Sequence, residues 1–213
     1  MYKKYIKRIL DFILAILLLI ILSPILLIIS IVIKLESRGP IFFTQKRTGK
    51  DGKTFNILKF RTMTCGNNIY DFDTADSPTK VGIFLRKSNL DELPQLINII
   101  KGDMSFIGPR PWILDYYKYF TNDQKKRCEV FPGITGLAQC NGKNDISILE
   151  KINYDLKYVN NLSFILDLKI LLKTLTILNR KDINATKYNV KKELDELKSQ
   201  KRKGVKYEEN KKR

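Results

Sequence analysis

Histidine is absent from the 213 residues of this chain. Its absence excludes Ser-His-Asp and Cys-His catalysis, histidine general bases and histidine-ligated metals. Acid, base and nucleophile roles fall to carboxylates, lysines, tyrosines or thiols. Cysteine is scarce as well: Cys65, Cys128 and Cys140 form no C-x-x-C pair and leave one unmatched. That count speaks against a disulfide framework or a zinc ribbon and suits isolated thiols in a reducing compartment. Acidic residues are in deficit, 22 against 39 basic ones, for a net charge of +17. The surplus favours anionic partners, whether nucleic acid, acidic phospholipid or phosphate-bearing substrates. Against nucleic acid, the sequence lacks the aromatic-basic interleaving of an RNA-binding sheet and any DNA-reading motif.

Charge is missing altogether from Phe12 to Ile33. A straight helix over that run spans about 33 Å, enough for a bilayer core of about 30 Å. The run is long for a secretory signal, and no small-x-small cleavage site follows it. Pro24 near its middle removes a backbone hydrogen bond to the Ile20 carbonyl, and the Ser23 hydroxyl is placed to satisfy a freed group. Lys3, Lys4, Lys7 and Arg8 precede the run, and Lys34, Arg38, Lys46 and Arg47 follow it. Basic flanks prefer the cytoplasmic side. A re-entrant hairpin keeps both groups inside, whereas a kinked single-pass anchor strands one of them outside.

The remainder reads as α+β, predominantly α. Ile41–Thr44 and Thr54–Phe60 are strand-like around the turn Gly49–Gly52, predicting a β-hairpin. Residues 64–80 read as a surface loop. A helix is expected from about Asn89 to Gly102, and a helical pattern covers 113–129. Pro132–Gly136 reads as a turn opening a loop through Asn144. The helix expected over Leu162–Leu178 is rich in Leu and Ile and either packs inside or lies in a membrane interface. Beyond Arg180 the chain is basic and poor in apolar residues, which predicts a mobile or loosely helical tail touching anionic lipid. The expected organisation is 1–38 as membrane helix with basic flanks, 39–180 as a cytoplasmic domain and 181–213 as tail.

Asp91 and Glu92 are adjacent, so on a helix their side chains diverge by about 100° and take different roles. The bland reading is capping, with Ser88 as N-cap and Asp91 three residues later. The alternative is chemical. Lys59, Arg86, Lys87, Lys101 and Arg110 surround the pair in sequence. A carboxylate among cations stays ionised and serves as a nucleophile, while its neighbour serves a divalent metal.

Five segments carry a resemblance: the Ser23-Pro24 break, Leu58–Met63, LDELPQL at Leu90–Leu96, KGDMSFIGPRP at Lys101–Pro111, and PGITG at Pro132–Gly136. Together they resemble the bacterial sugar transferase family, in particular its small monotopic polyprenyl-phosphate phosphoglycosyl transferases (PglC-like). The resemblance implies transfer of a sugar-1-phosphate from a UDP-sugar to undecaprenyl phosphate, releasing UMP, at the cytoplasmic face of the bacterial cytoplasmic membrane. It implies Asp91 as the nucleophile that forms an aspartyl-phosphosugar, Glu92 as the Mg²⁺-associated carboxylate, and Lys59, Arg86 and Arg110 around the phosphates. It also implies a re-entrant helix broken at Ser23-Pro24, with amphipathic helices at the bilayer interface. Implied partners are the phospholipid bilayer and downstream glycosyltransferases, with no nucleic acid. Lys143 stands where many relatives carry arginine, so phosphate binding there has a point charge in place of a planar fork. A membrane-anchored basic lipid- or nucleic-acid-binding module without catalysis is the alternative, resting on the charge and the tail.

Overall fold

A computed structural model of the chain describes residues 1–64, 78–142, 146–178 and 193–201. After a π-helical turn at Tyr2–Ile6, helix α1 runs from Lys7 to Glu36 as one element with Pro24 inside it. The expected break at Ser23-Pro24 is therefore not a gap between two helices. Ser23 Oγ donates to the Ile20 carbonyl at 2.8 Å, the acceptor that Pro24 leaves without an amide, so the helix continues through the proline. Leu17, Ile20, Ile21, Leu27, Ile28 and Ile31 on α1 are all at least half exposed. Among the described residues α1 and its leading turn form the one helix long and apolar enough to cross a membrane, with only 11% of its most apolar window buried. A core helix would be mostly buried, so this exposure is compatible with membrane anchoring.

The contacts divide the chain into two compact units. One comprises Ile9–Gln45 and Asn56–Gly102; the larger comprises Met1–Arg8, Lys46–Phe55 and Asp103–Arg213. Strands β1 (Phe42–Thr48) and β2 (Thr54–Phe60) pair in a two-stranded sheet and contribute residues to both units. Their turn uses positive φ at Asp51 (54°) and Gly52 (76°), as turn residues of this kind allow. β1 reaches further than Ile41–Thr44 because its far end has tertiary partners. The Thr48 amide donates to the Trp112 carbonyl, and Arg47 bridges Ile113.

In the smaller unit, α1 meets helix α2 (Lys80–Ser88) and β2 through Ile29, Ile33, Leu85 and Phe60. Arg61 is buried and donates to the carbonyls of Ser37 and Arg38, closing the C-terminal end of α1. Glu36 accepts from the Val81 amide at the first turn of α2. Helix α3 (Gln95–Lys101) ends at Gly102 with φ 94°, as expected. It is fixed to β2 by Asn98, whose side chain accepts from Leu58 N and donates to Asn56 O.

The larger unit is built on a parallel pair, β3 (Ser105–Ile107) and β4 (Gly133–Thr135), in register Ser105 with Gly133 and Ile107 with Thr135. Three glycines permit this crossing. A Cβ on Gly133 would lie 2.1 Å from Gly108 N, and one on Gly136 would lie 2.2 Å from Gly108 O. Within Pro132–Gly136, Gly133–Thr135 is thus a strand, and helix rather than loop follows it from Leu137 to Gly142. Between β3 and β4 lie α4 (Leu114–Tyr119) and α5 (Asn122–Lys125), the latter opened by the Thr121–Gln124 capping box. After β4 come α6 (Leu137–Gly142), α7 (Ile148–Asn160) and α8 (Phe164–Leu178). Residues 193–201 form α9. The tail expected to be mobile or loosely helical is a packed helix over this stretch: Leu197 is fully buried among Trp112, Tyr116, Phe120, Ile148 and Ile152, and Glu193 binds Tyr116 Oη and Lys151 Nζ.

α8 has two faces. Asp167 and Ile170 are buried, whereas Phe164, Ile165, Leu168, Leu171, Leu172 and Leu175 are exposed in an apolar stripe. Asp167 accepts from Tyr2 Oη at 2.6 Å, Lys7 Nζ at 2.8 Å and Tyr158 Oη at 2.8 Å. That fastens the N-terminal flank of α1 to α8.

Candidate active site

Thr79 caps α2 by accepting from the Gly82 amide, and a left-handed Asn89 (φ 57°) ends it. The chain then makes a single 3₁₀ turn, Leu90–Glu92, and passes Pro94 into α3. Asp91 and Glu92 therefore sit in a turn between two short helices. Ser88 is the last residue of α2, its Oγ donating back to the carbonyls of Phe84 and Leu85. The capping box expected from Ser88 and Asp91 does not form. α3 has seven residues, so its dipole contributes little at Asp91. Side-chain charges, not a helix end, set the electrostatics.

The turn gives the two carboxylates different surroundings. Asp91 is buried at 8% exposure. Lys59, near the end of β2, places Nζ 2.6 Å from Glu92 Oε1 and 3.6 Å from Asp91 Oδ2. Arg86, on the last turn of α2, is oriented by Thr62, whose Oγ1 accepts from Arg86 Nε at 2.8 Å. Burial pushes the Asp91 carboxyl above its ordinary value; Lys59 opposes this most strongly, Glu92 adds to it and Arg86 opposes it. The cations were expected to dominate, and desolvation outweighs them. The same desolvation strips water from a carboxylate oxygen and so favours nucleophilic attack once the group is ionised.

Four of the expected site residues thus come together: Lys59, Arg86, Asp91 and Glu92. Arg110 belongs to the larger unit, where its side chain is exposed at the tip of a buried loop. Lys143 lies outside the described residues. Ser23 and Pro24 lie midway along α1. Thr62 and Asn98 were not singled out by role. Thr62 lay within a matched segment, but a threonine that orients an arginine has no signature in sequence.

A family model described as Bacterial sugar transferase matches residues 2–181. The chain belongs to the bacterial sugar transferase family. Among curated relatives, the "Uncharacterized sugar transferase EpsL" of Bacillus subtilis is 48% identical over 173 residues, covering 79% of this chain and 84% of that protein. A UDP-glucose:undecaprenyl-phosphate glucose-1-phosphate transferase of Klebsiella pneumoniae is 44% identical over 180 residues, covering 79% of this chain and 39% of that protein. One of the same name from Caulobacter vibrioides is 42% identical over 180 residues, covering 79% and 67%. The sugar transferase match ends before α9, so that helix lies beyond the family region.

Two adjacent carboxylates are hard oxygen donors, and no cluster of three acidic or thiol ligands occurs among the described residues. That sparse set fits Mg²⁺, which takes one or two carboxylates and completes its shell with water and phosphate oxygens. It does not fit a structural zinc site. Lys59 Nζ against Glu92 marks the same spot as favourable for positive charge.

Proposed function

We propose that this chain transfers a sugar-1-phosphate from a UDP-sugar to undecaprenyl phosphate, yielding the polyprenyl-diphosphate-sugar and UMP. The observation that carries the reading is a desolvated aspartate beside a glutamate, held by Lys59 and faced by a pinned Arg86, in a chain of this family. The names of the Klebsiella and Caulobacter relatives support the same donor and acceptor classes. In the first step an Asp91 carboxylate oxygen bonds to the β-phosphorus of the donor. The bond from that phosphorus to the bridging oxygen breaks, and UMP departs with the oxygen. In the second step a phosphate oxygen of the polyprenyl phosphate attacks the same phosphorus and releases the Asp91 carboxylate. Neither step requires a histidine base, because both nucleophiles are anions. Lys59 and Arg86 neutralise charge on the transferring phosphoryl group. Glu92 would hold Mg²⁺ together with the donor phosphates, and the ion would supply further charge neutralisation there.

The site acts at the cytoplasmic face of the bacterial cytoplasmic membrane, and α1 enters the bilayer, bends at Pro24 and returns. Supporting this, both flanks of α1 are tied down. Lys7 and Tyr2 bind Asp167, and Ser37 and Arg38 bind Arg61. From Ser37 to Leu178 the sequence has no second uncharged run able to cross, so that chain stays on one side. Both flanks of α1 then belong to that side. The apolar stripe of α8 fits the bilayer interface. The test incubates enzyme, Mg²⁺ and a panel of UDP-sugars without lipid. Stoichiometric UMP and a sugar-phosphate mass on the Asp91 peptide are expected. UMP that forms only with polyprenyl phosphate present, and no trapped adduct, would replace the two-step reading with direct transfer.

A further inference from the structure

Thr62 is buried just past the end of β2, and one side of α2 meets it at three points. Thr79, Gly82 and Arg86 are spaced three and four apart, which stacks them along one side of a helix and its cap. The Thr79 amide donates to the Thr62 carbonyl at 3.1 Å. Gly82 crosses the Thr62 main chain so closely that a Cβ there would lie 2.0 Å from Thr62 O and 2.7 Å from Thr62 Cα. Arg86, one turn further on, donates from Nε to Thr62 Oγ1 at 2.8 Å. Thr62, Thr79, Gly82 and Arg86 belong to the smaller unit, as do Lys59, Asp91 and Glu92.

The first two contacts already dock α2, together with Leu85, which is buried against Phe60, Ile29 and Ile33. The third fixes something else. Arg86 is exposed, and an exposed arginine samples many rotamers unless a partner selects one. Lys87, next in sequence and also exposed, makes no side-chain hydrogen bond among the described residues. Of the two cations on the last turn of α2, only Arg86 is thus held, and by a buried acceptor. The bond engages Nε, and the terminal nitrogens of the fork carry the remaining donors. Burial raises the Asp91 carboxyl, and Arg86 lies near enough for its charge to oppose that rise, after Lys59.

We propose that Thr62 is a positioning residue for phosphoryl transfer: its hydroxyl, placed by the Gly82 crossing, holds the Arg86 guanidinium near Asp91. The inference rests on the reading above, in which Asp91 attacks the donor phosphorus and Arg86 neutralises charge there. It adds a requirement of its own, a hydroxyl oxygen on residue 62. A cation that stabilises a transition state acts from one place, so an unheld Arg86 loses rate more than donor affinity. Thr62→Ser keeps the acceptor, whereas Thr62→Val keeps the shape and removes it. Arg86→Lys keeps the charge and lacks the Nε–H that Thr62 accepts.

The test uses the full-length enzyme in detergent or nanodiscs, with polyprenyl phosphate and the UDP-sugar that releases most UMP in the donor panel. Single-turnover UMP release is followed with enzyme in excess over donor, so that an inactive fraction does not alter the rate constant. Steady-state KM and thermal unfolding are recorded beside it. Thr62→Val is expected to slow the single-turnover rate about tenfold with donor KM changed less than about twofold, and Thr62→Ser to restore the rate to within about twofold of wild type. In an Arg86→Ala background Thr62→Val is expected to cost less than about twofold more, because there is no guanidinium left to hold. Full additivity there, or a Thr62→Ser enzyme as slow as Thr62→Val, would overturn the proposal while leaving Arg86 in the site. An Arg86→Ala enzyme at the wild-type rate would remove Arg86 from the site and the proposal with it. If Thr62→Val does not fold, Arg86→Lys takes its place with the same expected loss, and a wild-type single-turnover rate in that enzyme refutes positioning. A wild-type enzyme that releases no UMP from any UDP-sugar would overturn the functional reading itself and this inference with it.

Discussion

Asp91→Asn separates chemistry from architecture more sharply than any other single change. The substitution keeps the shape of the side chain and removes the carboxylate oxygen proposed as the nucleophile. Because burial raises the Asp91 pKa, the protonated form contributes stability that is fully present below the ordinary value of 3.8 and is lost as pH rises through the raised value. Asparagine resembles that protonated form at every pH. The carboxylate is no helix cap here, since no side-chain cap bond is made at Leu90–Glu92, so the usual capping loss of about 0.5–2 kcal/mol does not apply. Against this stands the loss of Lys59 at 3.6 Å from Asp91, while Lys59 keeps its 2.6 Å bond to Glu92. The expected net change is within about 1 kcal/mol, or about 2–4 °C in melting temperature for a chain of this size. Activity should fall by at least about 10⁴-fold, as when a catalytic nucleophile is removed. Melting is measured in chelator, so that metal binding does not enter, and UMP release is measured with and without polyprenyl phosphate. An Asp91→Asn enzyme that retains more than a few per cent of wild-type turnover refutes the nucleophile. A fall of more than about 6 °C would show Asp91 to be structural after all.

Chelator should abolish turnover and Mg²⁺ restore it, and Glu92→Gln should lower the rate about 10²-fold or more with an unchanged far-UV spectrum; near-normal rates would remove Glu92 from the site. Leu197→Ala should destabilise the protein by about 2–5 kcal/mol, as for a fully buried leucine, and a change below about 0.5 kcal/mol would mean that α9 is not packed in solution. A reporter cysteine at Tyr2 should resist membrane-impermeant thiol reagents in intact cells, and its labelling would rule out the re-entrant helix. Burial pushes the Cys128 thiol above its ordinary 9.0, with the Arg127 charge opposing, so at pH 8 it carries less thiolate than a free cysteine. Alkylation of Cys128 should therefore await denaturant, and rapid labelling of the folded enzyme would contradict its placement.

The chemistry of this chain was easier to read from sequence than its architecture, and the reason is physical. Lys59, Arg86, Asp91 and Glu92 were singled out by the family resemblance, since residue type alone left Lys87 and Lys101 equally eligible, and the fold brings those four together. The backbone itself was misread. Ser88 and Asp91 have the spacing of a capping box, but a left-handed Asn89 ends α2 first and Pro94 delays α3. Strands β3 and β4 are three residues each, too short for alternation to register, and the glycines that permit their crossing look locally like turn residues. β2 was bounded correctly because its run of strand formers ends at its own boundaries. β1 extends past its strand-like residues through a hydrogen bond to Trp112, which no local window contains. Helix α9 was hidden for a related reason: among its charges only Leu194 and Leu197 face inward, and the aromatic cluster that buries them lies far back in the chain.

The misreading of the turn also alters the account of the site. Had Asp91 opened a long helix, the dipole would have kept it ionised and drawn the donor phosphates to the backbone amides. In a turn between short helices those amides are few, and the positive charge must come from side chains that are individually held in place. Arg86 is held by Thr62, and Lys59 by Glu92. Lys59 is then shared between two carboxylates before substrate arrives, its Nζ 2.6 Å from Glu92 and 3.6 Å from Asp91. Under the proposed function, incoming phosphate oxygens would compete with Glu92 for that ammonium, and Mg²⁺ would compete with the ammonium for Glu92. Donor and metal binding should accordingly be cooperative, each weakening the contact that opposes the other. Lys59→Met removes the shared partner, so Mg²⁺ should then bind without donor more readily than in wild type while turnover falls. Isothermal titration of Mg²⁺ into both proteins, with and without UDP-sugar, measures this coupling directly. Equal Mg²⁺ affinity in the two donor-free proteins would show that Lys59 does not guard Glu92.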